Sequence, residues 1–451
     1  MTTLGLDGLL QDIRDIHAAK TFGTIIHVGA GLVHVGGIEK RAQVGDQVSL
    51  FASSGARMGG EVLSLSRNET IILPDAQLNG VSIGDEVLLD GPLRLAPCDH
   101  WIGRIIDASG RPMDGRYLPP GGGARSVQGN APNPARRRAL GTRLETSMSI
   151  FNTLLPVVRG QRLGLFSGSG VGKSSLLAHF AGHMQADVIV IALVGERGRE
   201  LRNFVEKVLG PKGMARTVVI AATSDQSPLL RRRCALTAMT VAEHFRDQGK
   251  HVLLLADSIT RFAEAHREIA VASGEAASLR GFPASTAHTI MSLCERAGPG
   301  LEGSGDITAI FSVLVAGSDM EEPIADMMRG VLDGHVVLDR AIAERGRYPA
   351  IDAVRSVSRS LPDAASEKEN QLISTARRLL GSYDESALMI RAGLYSAGSD
   401  PVLDIAVKAY PELDRFIGAH ERLDVYNSFQ RLELILRKAG ALEPSGPITL
   451  A

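Results

Sequence analysis

Cysteine is nearly absent: Cys98, Cys234 and Cys294 are the three in 451 residues, scattered and odd in number. They support neither a disulfide framework nor a metal-binding spacing, which suits a reducing compartment. Aromatic residues make up 4% of the chain, with one tryptophan. The basic triplets at 136–138 and 231–233 therefore lack the interleaved stacking groups of a nucleic-acid surface and read as solvated faces or subunit contacts. Net charge is −1, so no global field recruits nucleic acid or an anionic membrane. No run of about eighteen apolar residues occurs, which excludes a membrane-spanning helix. Residues 1–20 mix acids, bases and leucines, unlike the basic-then-apolar build of a secretory signal.

What is present is ordinary in bulk and specific in detail. Hydrophobic residues are 44% and charged residues 22%, a globular balance in a chain long enough for about two to four domains. Residues 1–20 carry Leu6, Leu9, Leu10, Ile13 and Ile16 at helical spacing, predicting an amphipathic helix that docks on its own domain or on a partner. From 21 to 93, short β-rich runs broken by glycines about every eight to twelve residues predict a small antiparallel barrel or sandwich. A Gly/Pro/Arg-rich stretch at 108–135 predicts a long functional or mobile loop. Strand-like runs at 163–166, 188–194, 217–222, 251–257 and 306–315 alternate with helical ones, predicting a mostly parallel α/β sheet. Five helical segments follow, at 366–380, 384–392, 402–408, 411–417 and 421–438. The expected division is a helix at 1–20, a β-barrel at 21–93, an α/β domain at 94–360 and a helical domain at 361–451.

The chemistry centres on Ser167-Gly168-Ser169-Gly170-Val171-Gly172-Lys173-Ser174, continued by Ser175. Strand, glycine-rich turn, lysine, hydroxyl and helix are the build of a phosphate-binding P-loop, whose backbone N–H groups and helix N-terminus close on phosphate oxygens. Lys173 would reach the β- and γ-phosphates and Ser174 would hold Mg²⁺. Ser167 stands where the strict pattern has glycine; serine is small enough to be tolerated. The apolar run ending in Asp257 supplies a candidate second magnesium carboxylate. Gly195-Glu196-Arg197-Gly198-Arg199-Glu200 puts acids and arginines at another strand end, as a water-orienting group or as a solvated ion-pair cluster. Tyr348 and Arg359 suit an adenine-stacking ring and an arginine acting in trans, or equally a wall tyrosine and a surface arginine.

The order of these motifs resembles the catalytic-subunit lineage of rotary ATPases and, within it, the flagellar type III export ATPases. The resemblance runs over about residues 20–440. It is carried by the loop at 167–174, by Gly195 to Glu200, by Leu253-Leu254-Leu255-Ala256-Asp257-Ser258-Ile259-Thr260-Arg261 and by Tyr348-Pro349-Ala350-Ile351-Asp352. Ser356-Val357-Ser358-Arg359 and the branch-specific stretches at 225–233, 294–298 and 391–400 complete it. Phe282 departs from the tyrosine common in relatives. The resemblance implies a small β-barrel, a RecA-like P-loop ATPase domain and a helical C-terminal domain. It implies that Glu196 polarises water with Arg197 beside it, that Arg261 lies near the phosphates, that Tyr348 packs on adenine and that Arg359 is an arginine finger from an adjacent subunit. The cofactors implied are ATP and Mg²⁺. The partners implied are five further copies of the chain in a homohexamer, a stator-like export regulator at the N-terminal helix, a central stalk protein and chaperone–substrate complexes at the C-terminal domain, and the export gate. No direct nucleic-acid contact is implied, and the location is cytoplasmic, beneath the flagellar basal body at the inner membrane.

Three other readings compete. A virulence injectisome ATPase would share every motif. A non-catalytic nucleotide-binding subunit of a rotary ATPase would lack Glu196. An RNA translocase of the Rho type would need aromatics and bases in its N-terminal fold, where 20–93 holds only Phe22 and Phe51.

Overall fold

The computed structural model describes residues 19–277, 281–315 and 320–442. The helix expected at 1–20 therefore lies almost wholly outside the described residues. Six strands follow: β1 (Thr21–Gly29), β2 (Leu32–Gly36), β3 (Asp46–Phe51), β4 (Arg57–Leu65), β5 (Thr70–Pro74) and β6 (Glu86–Pro92). They close into an antiparallel barrel in the order β1-β2-β5-β4-β3-β6. Alternation along each strand sends Ile25, Val33, Val35, Val48, Leu50, Val62, Ile72 and Val87 into one core, and closure removes the unpaired edges an open sheet would expose.

The α/β domain is a mostly parallel sheet of β7 (Ile105–Asp107), β8 (Arg162–Ser167), β9 (Val188–Glu196), β10 (Thr217–Thr223), β11 (His251–Asp257), β12 (Asp306–Leu314), β13 (Gly334–Leu338) and β14 (Ile351–Ser358). Their spatial order is β14-β13-β8-β12-β11-β9-β10-β7. Only β14 on β13, and a two-residue strand at Gly298–Pro299 on β12, run antiparallel. Both faces are covered: Ile189, Ile191 and Leu193 of β9 enter one core, while Val190, Ala192 and Val194 enter the other. That two-sided burial is why these strands read as unbroken apolar runs.

The helices that matter here are α1 (Lys173–His183), α2 (Pro228–Asp247), α3 (Ile259–Ala272), α4 (Ser285–Arg296) and α5 (Pro323–Val331), then α6 (Glu367–Arg391), α7 (Pro401–Ile417) and α8 (Val425–Ala439). The C-terminal region thus holds three long helices, not the five segments read from the sequence. Gly381 is carried inside α6, which starts at a Ser366/Glu369 capping box. Pro411 is carried inside α7. The buried stripe Leu403, Ala406, Ala409, Leu413, Phe416 and Ile417 overrides the local penalty of a ring that lacks an N–H.

The stretch at 108–135 is anchored rather than loose. Arg104, 8% exposed, holds Asp114 through two nitrogens at 2.5 and 2.7 Å and donates to the carbonyls of Arg116 and Tyr117. Trp101 Nε1 donates to Pro119 O at 3.1 Å. Arg296 lies buried between Glu243 and Val127 O. Buried guanidiniums satisfy carbonyls that loop composition alone leaves to solvent. The arginine triplets are largely tied to carboxylates, though Arg136 and Arg138 remain exposed. Arg137 pairs with Glu295 and Arg138 with Asp306. Arg231 pairs with Glu268. Arg232 and Arg233 both reach Glu61 of the barrel, at 2.6 and 2.9 Å.

Candidate active site

The site lies at the C-terminal edge of the parallel strands, where such sheets bind ligands. The turn after β8 winds through Gly170 and Gly172 at φ +79° and +93°, the left-handed region open to glycine. Gly172 caps α1 with no side-chain hydrogen bond, so the first-turn N–H groups are left for an anion. A cavity of about 730 Å³ opens over the turn, lined by Ser167, Gly168, Ser169, Gly170, Gly172, Lys173, Ser174 and Ser175 on one side and by Glu196, Arg197 and Arg261 on the other. Val171 is buried beneath it at 2% exposure. Ser167 Oγ is buried with no hydrogen-bond partner, so serine costs the loop no distortion but leaves one polar atom unsatisfied.

Lys173 Nζ forms an ion pair with Asp257 Oδ1, and Ser312 Oγ donates to the same oxygen at 2.7 Å. β12 stands between β8 and β11, which is why a serine in its interior meets Asp257. Ser312 was not legible as a site residue; its only signal is a hydroxyl within a strand of apolar residues. Asp257 and Ser174 share a second cavity of about 490 Å³ with Glu196 and Glu200. Glu196 is held on the turn after Gly195, at φ +68°, and its carbonyl accepts from Ser224 N at 3.0 Å. Burial, the hydrogen bond that protonated Glu196 donates to Glu200 and the negative charge of Asp257 push the Glu196 carboxyl up to about 7, against the pull of Lys173. Arg197 is exposed and faces Glu200 at 3.8 Å; Arg261 pairs with Glu264 at 2.9 Å.

Tyr348 does not line the 730 Å³ cavity. It packs on the flank of the loop, where a Cβ on Gly172 would stand 3.3 Å from its Cδ1, and the residue is 54% exposed. Arg359 lies elsewhere. It follows β14 where Ser358 pairs with Gly334, and it bonds Asp333 O and Arg329 O. The loop sits at the other end, where Ser167 pairs with Leu338 and Leu338 with Ile351. A strand of this length separates the two by on the order of 20 Å.

Among the described residues no cluster of three or more His, Cys, Asp or Glu is arranged to hold a metal. The local donor set is the Ser174 hydroxyl and the Asp257 carboxylate. Few, hard oxygen ligands beside a phosphate cradle fit Mg²⁺, which keeps most of its water and shares the substrate's oxygens.

Two family profiles match: the ATP synthase alpha/beta family, nucleotide-binding domain, over residues 147–358, and the T3SS EscN ATPase C-terminal domain over 365–433. The flagellum-specific ATP synthase of Agrobacterium fabrum is 44% identical over 390 residues, covering 86% of this chain and 82% of its own. That of Treponema pallidum is 41% identical over 442 residues, covering 96% and 97%. This chain belongs to the flagellum-specific ATP synthase family. It is an ATPase of the type III secretion class. Among solved structures, the assembled ATPase EscN of the enteropathogenic E. coli type III secretion system is 35% identical with a TM-score of 0.85, covering 92% of this chain and all of that one. A second structure holds EscN with its central stalk EscO, at a TM-score of 0.83, with 35% identity and 92% of this chain covered. Family membership accounts for the three-part architecture of barrel, α/β sheet and C-terminal helices. Among the described residues no helix is long and apolar enough to cross a membrane.

Proposed function

We propose that this chain hydrolyses Mg-ATP at the subunit interfaces of a homohexameric ring and energises export of flagellar proteins through the type III apparatus. One observation carries the reading. The phosphate loop, Lys173, Asp257 and Glu196 meet on one strand edge, while Arg359 stands exposed at the opposite edge. A finger so far from its own loop serves a neighbour's site, which makes turnover depend on assembly.

In this reading the loop N–H groups and Lys173 bind the β- and γ-phosphates. Ser174 and Asp257 would hold Mg²⁺, which would draw charge from the phosphate oxygens. Lys173 leaves its ion pair with Asp257 to reach the triphosphate. Glu196 orients a water in line with the γ-phosphate and accepts its proton. Arg197 and Arg261 add positive charge beside the phosphates, and Tyr348 stacks on adenine.

The raised Glu196 pKa has a pH signature. Only the carboxylate accepts a proton, so protonation below about 7 removes the base. The profile of kcat/KM, which reports the free enzyme, is expected to fall about tenfold per unit on its acid limb below that pH. A profile flat from pH 6 to 8 would remove Glu196 from this role.

The partners follow from the same reading. The stator-like regulator binds at residues 1–20, and the central stalk and chaperone–substrate complexes meet the C-terminal helices. The ring works on the cytoplasmic side of the inner membrane, below the export gate. An injectisome ATPase is the second reading, favoured by the likeness to EscN. Affinity purification from native cells separates them: flagellar export proteins support the first, injectisome proteins the second.

A further inference from the structure

Arg347 ties the C-terminal helices to the nucleotide site. Its side chain is 13% exposed. Nε donates to Asp414 Oδ1 of α7 at 3.1 Å. The two terminal nitrogens donate to Pro349 O and Ile351 O, both at 2.8 Å. One guanidinium therefore grips both carbonyls of the turn behind Tyr348 while a carboxylate from another domain grips the guanidinium. The planar fork of arginine makes such a three-way clamp; a lysine point charge does not. The backbones are also close. A Cβ on Gly418, just past α7, would stand 3.1 Å from Tyr348 O. On its other side the Tyr348 ring packs against Gly172 of the phosphate loop. The path from α7 to the loop is thus Asp414, Arg347, Tyr348 and Gly172. A cavity of about 430 Å³ lies at this junction, lined among others by Arg345, Asp352 and Tyr410, so beside the shared apolar core the clamp stands at a loosely filled edge of the contact between the two regions.

We propose that Arg347 is a positioning residue for nucleotide affinity: through Asp414 it lets the attitude of the C-terminal helices set how Tyr348 presents its ring to the base. The inference rests on the reading that Tyr348 stacks on adenine. Whatever seats on the C-terminal helices then tunes ATP and ADP binding by way of this ion pair, and nucleotide binding reciprocally tunes that docking.

The test uses the full-length chain and a fluorescent ADP analogue, with inorganic tripolyphosphate as a base-free competitor. Arg347→Met and Asp414→Asn are each expected to raise the ADP Kd about fivefold or more. The double variant is expected to be no worse than Arg347→Met alone, and Arg347→Lys to recover little. The tripolyphosphate affinity and the kcat at saturating ATP should stay within about twofold. Equal weakening of ADP and tripolyphosphate would overturn the proposal, since it would mean general damage to the loop. So would an unchanged ADP Kd in both single variants while Tyr348→Ala raises it. An unchanged Kd in Tyr348→Ala would overturn the adenine reading itself and this inference with it.

Discussion

Arg359→Ala is expected to lower kcat by about a thousandfold or more, the scale of an arginine finger, and to abolish the rise of specific activity with protein concentration. The reason lies in the sheet. Within one chain Arg359 is anchored at the Gly334 end of β13, and Ser167 is at the Leu338 end. No rotamer spans that gap. In the proposed ring, loss of Arg359 would remove a contact made only between subunits, leaving the cradle, Lys173 and Glu196 untouched. Mixing gives the decisive measurement. Arg359→Ala subunits keep the carboxylate, and Glu196→Gln subunits keep the finger. In rings assembled from equal amounts of both, about a quarter of interfaces are intact, since each interface draws on two different chains. Activity should return on mixing two nearly inactive proteins. Mixtures as inactive as their components would sink the trans assignment.

The second large effect is Glu196→Gln, with kcat expected to fall by about a hundred- to ten-thousandfold, the span of a lost general base. Nucleotide binding should be no weaker. Glutamine keeps the shape and removes a negative charge that stands among Glu200 and Asp257, so the triphosphate meets less repulsion. For the same reason the variant should melt no lower than the parent. Single-turnover hydrolysis and equilibrium binding of ATP, measured on the same preparation, separate the two expectations. Parent-like turnover would leave the base to another group.

The residues that meet at the candidate site were legible in the sequence wherever they sit on a local motif. The loop at 167–174, the acid closing the run at His251–Asp257 and the acid after Val188–Val194 each announce themselves through an apolar strand that ends in a functional group. What joins them was not legible, because it depends on which strands become neighbours. Ser312 meets Asp257 only because β12 intervenes between β8 and β11. Arg347 meets Asp414 across 67 positions of chain. Fold class followed from composition and period: a glycine-punctuated β region, an alternating α/β region and a helical tail. Local rules misled in two places. Gly381 and Pro411 read as breaks, yet α6 continues past Gly381 and the buried stripe of α7 runs through Pro411. Glycine, proline and arginine at 108–135 read as a functional or mobile loop, and against the mobile alternative Arg104, Trp101 and Arg296 hold that stretch in place.

Glu61 has a consequence for exchanging parts between relatives. Its carboxylate, 8% exposed, is the shared counter-ion of Arg232 and Arg233 in the opening turn of α2. Removing one partner of a buried pair costs about 3 to 5 kcal/mol, because the remaining charge keeps its desolvation penalty. A chimera that imports a foreign barrel without a carboxylate at this position would strand two guanidiniums at once. The shared counter-ion of this arginine pair is thus encoded in another domain, and the natural unit of transplantation is the barrel together with the arginine pair.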